Sequence, residues 1–172
     1  MLPGLELLIE QCAPNVAPST LMAIIKVESG GRPLAMNVNG KQRLARQPNS
    51  PTEAVAWAHW LIERGHSIDL GLTQVNSRHL SRLGWPPEAL FEPCWNIAAG
   101  ALILTENYTA AAKKYGLGQE ALRAAISAYN TGNHKAGFTN GYVRKVSAAA
   151  GRWPATPITP PAATAAPQLV ER

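Results

Sequence analysis

A glutamate closes an apolar helical run in "IIKVESGG", Ile24 to Gly31, and Ser-Gly-Gly follows it at once. Leu21, Ile24, Ile25 and Glu28 recur at i, i+3, i+4 and i+7, so Glu28 shares a face with apolar side chains. A carboxyl on such a face loses hydration, which disfavours the charged form and raises its pKa. General-acid cleavage of a glycosidic bond requires a carboxylic acid that keeps its proton near neutrality. The same spacing also fits a helix-end glutamate that pairs with a cation or points to solvent. Two later stretches add uncharged hydrogen-bonding groups. "GLTQVN" sets one amide, Gln74, among small and apolar residues, and "SAYNTG" ends a helical stripe with Tyr129 and Asn130 before a glycine. Amides and phenols donate and accept without charge, which suits sugar hydroxyls and acetamido groups. Taken singly, Tyr129 also fits a core position and Asn130 a helix cap.

Other chemistries find less support. His59 and His66 lie seven residues apart with no cysteine near, which is not metal-ligand spacing, and no metal or cofactor is expected. "HSID" holds Ser, His and Asp too close together to converge as a nucleophilic triad. Asp69, just before "GLTQVN", would activate water if it stood across a cleft from Glu28, giving a hydrolysing enzyme. Its position reads instead as a loop or helix-capping residue.

The elements that must carry these groups are mostly helical. Leu5 to Cys12 is a short first helix, and Pro18 occupies the first turn of the next, which "GGRP" ends. Residues 34–49 are polar and irregular, and the Asn-Gly of "NVNGK" is expected to head a small hairpin. Ser50 and Glu53 form a capping box with Pro51 at N1, and Gly65 closes that helix. Its Trp57 and Trp60 read as packing, with glycan contact as the other reading. Trp95 to Lys114 and Gln119 to Tyr129 follow as helices, then a glycine-rich loop, "NTGNHKAGFTNG", and a last helix, "YVRKVSAAA".

A chain of 172 residues is long enough for one domain with a real core. Sixteen basic against eleven acidic side chains leave +5, which favours an anionic partner such as a cell-wall polymer, a membrane surface or nucleic acid, without choosing among them. Neither a run of like charges nor an aromatic-basic ladder occurs, so nucleic acid is not expected as a partner. The longest apolar run, "AAGALIL", has only seven residues, so an integral membrane protein is not expected. "MLPGLELLIEQ" carries Glu6 and Glu10, and no Lys or Arg precedes Lys26, so the basic start of a signal peptide is not visible. Two cysteines, Cys12 and Cys94, are compatible with one disulfide or with two buried thiols. From Pro154 the composition turns to Pro and Ala, as in a flexible tail.

Taken in order, "VESGG", "GLTQVN", "SAYNTGN" and "GYVRKV" resemble the lytic transglycosylases that accompany type IV secretion and conjugation systems. These belong to the soluble lytic transglycosylase superfamily, with a goose-lysozyme-like core. The resemblance runs from about Cys12 to Val146 and includes "CAPNVAPSTLMAI" and "PCWNIAAGA". It implies a mainly α, lysozyme-like single domain with a small hairpin-like segment; with the composition change at the end, the expectation is a domain over 1–152 and a disordered Pro/Ala-rich tail over 153–172. It implies that Glu28 is the single catalytic acid, that Gln74, Tyr129 and Asn130 line the glycan groove, and that Tyr142 lies near the acid. Peptidoglycan strands are the implied substrate, type IV secretion components the implied partners, and the periplasm the implied compartment, where a Cys12–Cys94 bridge is favoured. The implied reaction forms 1,6-anhydro ends and uses one carboxyl as acid and then base. Two positions depart from the pattern: Thr73 stands where the superfamily usually has Met, a change expected to alter groove contacts, and Asn37 stands where many relatives have Ser. A hydrolysing muramidase and a non-catalytic cell-wall-binding assembly factor remain alternatives.

Overall fold

Helix α1 (Leu5–Cys12) buries Leu5 and Ile9, and helix α2 (Pro18–Glu28) buries Leu21, Ile24 and Ile25. Proline at the start of α2 needs no N–H there and has the right φ, so it begins the helix without loss. The computed structural model describes residues 4–151. The tail expected over 153–172, and its boundary at 152, lie outside the described residues.

After α2 come strand β1 (Met36–Val38), helix α3 (Pro51–Glu63), and strands β2 (Ile68–Leu70) and β3 (Val75–Asn76). The strands form one antiparallel sheet in the order β1-β2-β3. The expected hairpin at Asn39-Gly40 does not form. β1 pairs instead with β2, Met36 opposite Leu70 and Val38 opposite Ile68, with α3 between them in the chain. The local hairpin is β2–β3, turning through Gly71 to Gln74. Sheet pairing needs a partner with the right apolar alternation, and Ile68 and Leu70 supply it where the polar residues after Gly40 do not.

The capping box of α3 is present in modified form. Ser50 Oγ accepts from the Glu53 N–H at 3.2 Å, but the Glu53 carboxylate accepts from the Asn49 N–H rather than from the cap itself. Arg46 binds both Glu53 oxygens and, with that N–H, holds its pKa down to about 2. Beyond β3 lie helix α4 (Leu80–Leu83) and helix α5 (Pro93–Tyr115), which begins and ends slightly outside its expected bounds. Helix α6 (Gln119–Thr131) runs two residues past Tyr129, the glycine-rich loop contains the single turn α7 (Ala136–Thr139), and α8 (Tyr142–Ala150) follows.

Two apolar clusters result. One gathers Leu21, Ile24, Ile25, Leu104, Tyr108, Leu122 and Val146 among the helices, and the other gathers Met36, Ile68, Leu70, Ala58, Leu90 and Ile103 around the sheet. Helix α5 feeds both, which is why it is buried along so much of its length. Cys12 is disulfide-bonded to Cys94, with Cα atoms 5.3 Å apart, and this ties α1 to the first turn of α5.

Candidate active site

Glu28 is the last residue of α2, partly buried, and faces a cleft of about 170 Å³ between the helical cluster and the sheet. Gln74, Asn76, Asp69, Tyr129 and Asn130 line the same cleft. Burial pushes the Glu28 carboxyl up to about 7; a hydrogen bond from the Tyr142 hydroxyl to Oε1 pulls it down, and the charge of Asp69 pushes it up further. Tyr142 is itself raised, chiefly by burial and then by Glu28, so it stays a phenol and a donor. It is only 7% exposed and lies beside the acid, which its hydroxyl touches.

Ser29, next to the acid, holds α2 against the β2–β3 turn. Its Oγ donates to the Leu72 carbonyl at 2.7 Å and accepts from the Gly31 N–H at 3.1 Å. In that turn Gln74 has φ +51, the only positive φ among the described non-glycine residues. Such a conformation costs energy and persists where the surroundings enforce it. Here Gln74 Nε2 donates to the Ala35 and Gly71 carbonyls at 3.1 and 2.9 Å. Only an NH₂ group can serve two carbonyls, so the amide orientation is fixed and Oε1 remains available as acceptor.

The Thr73 side chain lies on the other side of the turn, fully buried, so it does not meet the groove contacts expected of it. Its Oγ1 donates to Asn96 Oδ1 at 2.7 Å, and its N–H donates to the same oxygen at 2.8 Å. Asn96 Nδ2 donates to the Leu70 and Leu90 carbonyls, so this buried amide is satisfied on both atoms. Gly100, one turn further along α5, makes room for Thr73: a Cβ there would stand 2.5 Å from Thr73 Oγ1. The Thr73 carbonyl in turn accepts from the Tyr129 hydroxyl at 2.8 Å, which joins the end of α6 to the turn.

Asp69 is neither a loop residue nor a helix cap. It is the middle residue of the central strand β2, paired in register with Asn37 and Asn76. Directly opposed residues share a face, so the pleat that turns Ile68 and Leu70 inward turns this polar row outward, Asp69 into the Glu28 cleft. Its oxygens accept from Asn39 Nδ2 at 3.0 Å and Asn76 Nδ2 at 2.7 Å.

Of the residues singled out by sequence, Glu28, Gln74, Tyr129 and Asn130 line one cleft, and Tyr142 touches the first of them. Asn130 lies within the last turn of α6 rather than capping it, and its Oδ1 accepts from Asn140 Nδ2 at 2.9 Å. Trp57 packs against the sheet-side cluster, but Trp60 is 52% exposed under the Arg64 guanidinium. Sequence reasoning missed the scaffold role of Asn96 and undervalued Asp69. The available signals were an amide in the otherwise apolar "CWNIAAGA" and a carboxylate alternating with Ile68 and Leu70.

The family model described as the transglycosylase SLT domain matches residues 8–150. The chain is 45% identical over 140 residues to protein virB1 of Rhizobium radiobacter, covering 81% of this chain and 58% of that one. It is 44% identical over 156 residues to the type IV secretion system protein virB1 of Brucella abortus (strain 2308), covering 87% of this chain and 65% of that one. The Brucella suis biovar 1 (strain 1330) protein of the same name gives the same figures. The chain thus spans about three-fifths of the length of these curated relatives. No solved structure matches it.

Proposed function

The chain belongs to the transglycosylase SLT domain family, and on that premise we propose that it is a peptidoglycan lytic transglycosylase with Glu28 as its catalytic acid and base. The observation that carries this reading is a carboxyl raised to about 7 by burial at the wall of an otherwise polar cleft. Near neutrality a large share of Glu28 is protonated. Tyr142 donates to Oε1, which leaves Oε2 to hold the proton that is transferred. That proton passes to the oxygen between N-acetylmuramic acid and N-acetylglucosamine as the C1–O bond breaks. Positive charge develops at C1, where the substrate's acetamido group stabilises it. The Glu28 carboxylate then takes the proton of the sugar's 6-hydroxyl while that oxygen bonds to C1. A 1,6-anhydro end forms, no water is consumed, and the acid is regenerated. This differs from the two-carboxylate scheme of most glycosidases.

Gln74 Oε1 and Asn130 would orient sugar hydroxyls and acetamido groups, and Tyr129 would keep the turn that carries Gln74 in place. The Brucella relatives, named as type IV secretion system proteins, support a role in opening the wall locally for such an apparatus, with the periplasm as the site of action. No helix among the described residues is long and apolar enough to cross a membrane.

Asp69 in the same cleft favours one second reading, a hydrolase in which it activates water. Digestion of purified sacculi with the native protein and with Glu28→Gln, read by mass spectrometry, separates the cases. Anhydro ends from the native protein, reduced by at least about a thousandfold in the variant, are expected. New reducing ends would establish the hydrolase instead, and no soluble product from the native protein would leave only wall binding.

A further inference from the structure

A second pocket, of about 280 Å³, is lined by Lys114, Tyr115, Gly132, Asn133, His134 and Lys135, and Gly132 follows Asn130 of the cleft closely in the chain. Asn130 and Gly132 are two residues apart, so their Cα atoms are within about 7 Å. The loop that forms its wall is held firmly. The Asn133 carbonyl accepts from Ser127 Oγ and Thr131 Oγ1 at 2.6 and 2.9 Å, and Asn133 Oδ1 accepts from the Lys135 and Ala136 N–H groups. His134 lies edge-on to Tyr115, with ring centroids 6.3 Å apart. Lys114 and Lys135 are exposed, and the ion pairs among the described residues all lie elsewhere, at Arg46, His59 and Arg82. A lysine in the last turn of α5 is explained by the helix dipole, but Lys135 stands at the N-cap of α7, where a cation gains nothing from helix electrostatics.

We propose that this pocket is an anion subsite that receives a carboxylate of the peptide borne by the glycan strand in the neighbouring cleft. The proposal rests on the reading of the cleft as a peptidoglycan site. The two ammonium groups supply charge, the tyrosine and histidine rings line the pocket, and the pinned loop keeps the Lys135 backbone in place while α5 carries Lys114. A strand running past Asn130 brings its peptide to this point, where a free carboxylate meets Lys135 and Lys114, the latter's ammonium 5.4 Å over the Tyr115 ring and neither lysine in an ion pair among the described residues.

Equilibrium binding on a Glu28→Gln background tests it without requiring cleavage. The probes are isolated glycan strands with free peptide carboxylates and the same strands with those carboxylates amidated. The parent is expected to bind the free-carboxylate strands about fivefold more tightly, as two solvent-exposed charge contacts would give. Adding Lys114→Gln and Lys135→Gln should bring that ratio to about one while leaving the affinity for amidated strands unchanged, and Lys114→Arg with Lys135→Arg should retain it. A preference that survives the double Gln substitution, or no preference in the parent, overturns the subsite. So does a double Gln variant that loses affinity for both probes alike. Release of anhydro ends by the native protein without the charge preference sinks the subsite alone; the preference without any cleavage sinks the lytic reading alone.

Discussion

Glu28 is held between opposed influences that can be separated by substitution. Burial and the Asp69 charge raise its pKa, whereas the Tyr142 hydroxyl lowers it by stabilising the carboxylate. Activity that needs the protonated acid should therefore fall as pH rises through about 7. Tyr142→Phe removes the lowering contact and should move that alkaline limb to higher pH. Asp69→Asn removes a like charge and should move it to lower pH. Profiles of anhydro-product release against pH check both, and shifts in the same direction would contradict this account. Asp69→Asn also weighs the two chemistries: a single-carboxyl mechanism keeps anhydro ends as its product, whereas a water-activating Asp69 would be needed for any reducing ends.

The β2–β3 turn is the element on which the cleft depends, because Ser29, Asn96 and Tyr129 all bind its backbone. Gly100→Ala would push a methyl group into Thr73 from behind. Overpacking of this kind costs about 1–3 kcal/mol, and displacement of Thr73 would move the carbonyl that holds Tyr129. Chemical denaturation should show that loss, and product release should fall with it; an unchanged midpoint would mean that the turn yields freely. The Cys12–Cys94 bridge spans 82 residues of sequence, for which the loop-entropy estimate is about 4–5 kcal/mol. Reduction, or Cys12→Ser with Cys94→Ser, should lower the denaturation midpoint accordingly.

The two apolar clusters share α5, and Tyr129 packs against both. Neither can lose its packing without stripping a face of the same helix, so both should unfold in one transition. Coincident melting by tryptophan fluorescence, which reports Trp57 and Trp85 on the sheet side, and by far-ultraviolet circular dichroism would show it. The acid has a cost for the whole molecule. A carboxyl raised from 4.5 to about 7 binds its proton more tightly when folded. Its contribution is therefore fully present below about pH 4.5 and is lost as pH rises through about 7, by about 3 kcal/mol in all. Glu28→Gln should match the native protein in thermal midpoint near pH 4.5 and exceed it by several degrees at pH 8. No gain at pH 8 would mean that the ionised acid is not strained in its cleft.

Much of this was legible in the residues themselves. Helical periodicity placed Glu28 on an apolar face, proline and capping signals marked where α2 and α3 begin, and the order of four short motifs pointed to one family of glycan-cleaving enzymes. Those signals are local, because each depends on residues within a turn or two of one another. The pairing of β1 with β2, the burial of Thr73 under Gly100 and the turning of Asp69 toward Glu28 depend on contacts between segments tens of residues apart. Periodicity carries no information about such partners. Spacing alone left Glu28 as either a surface charge or a buried acid; the packing of the sheet and of Tyr142 against it decided between them, since desolvation is set by what surrounds a carboxyl and not by its neighbours in the chain.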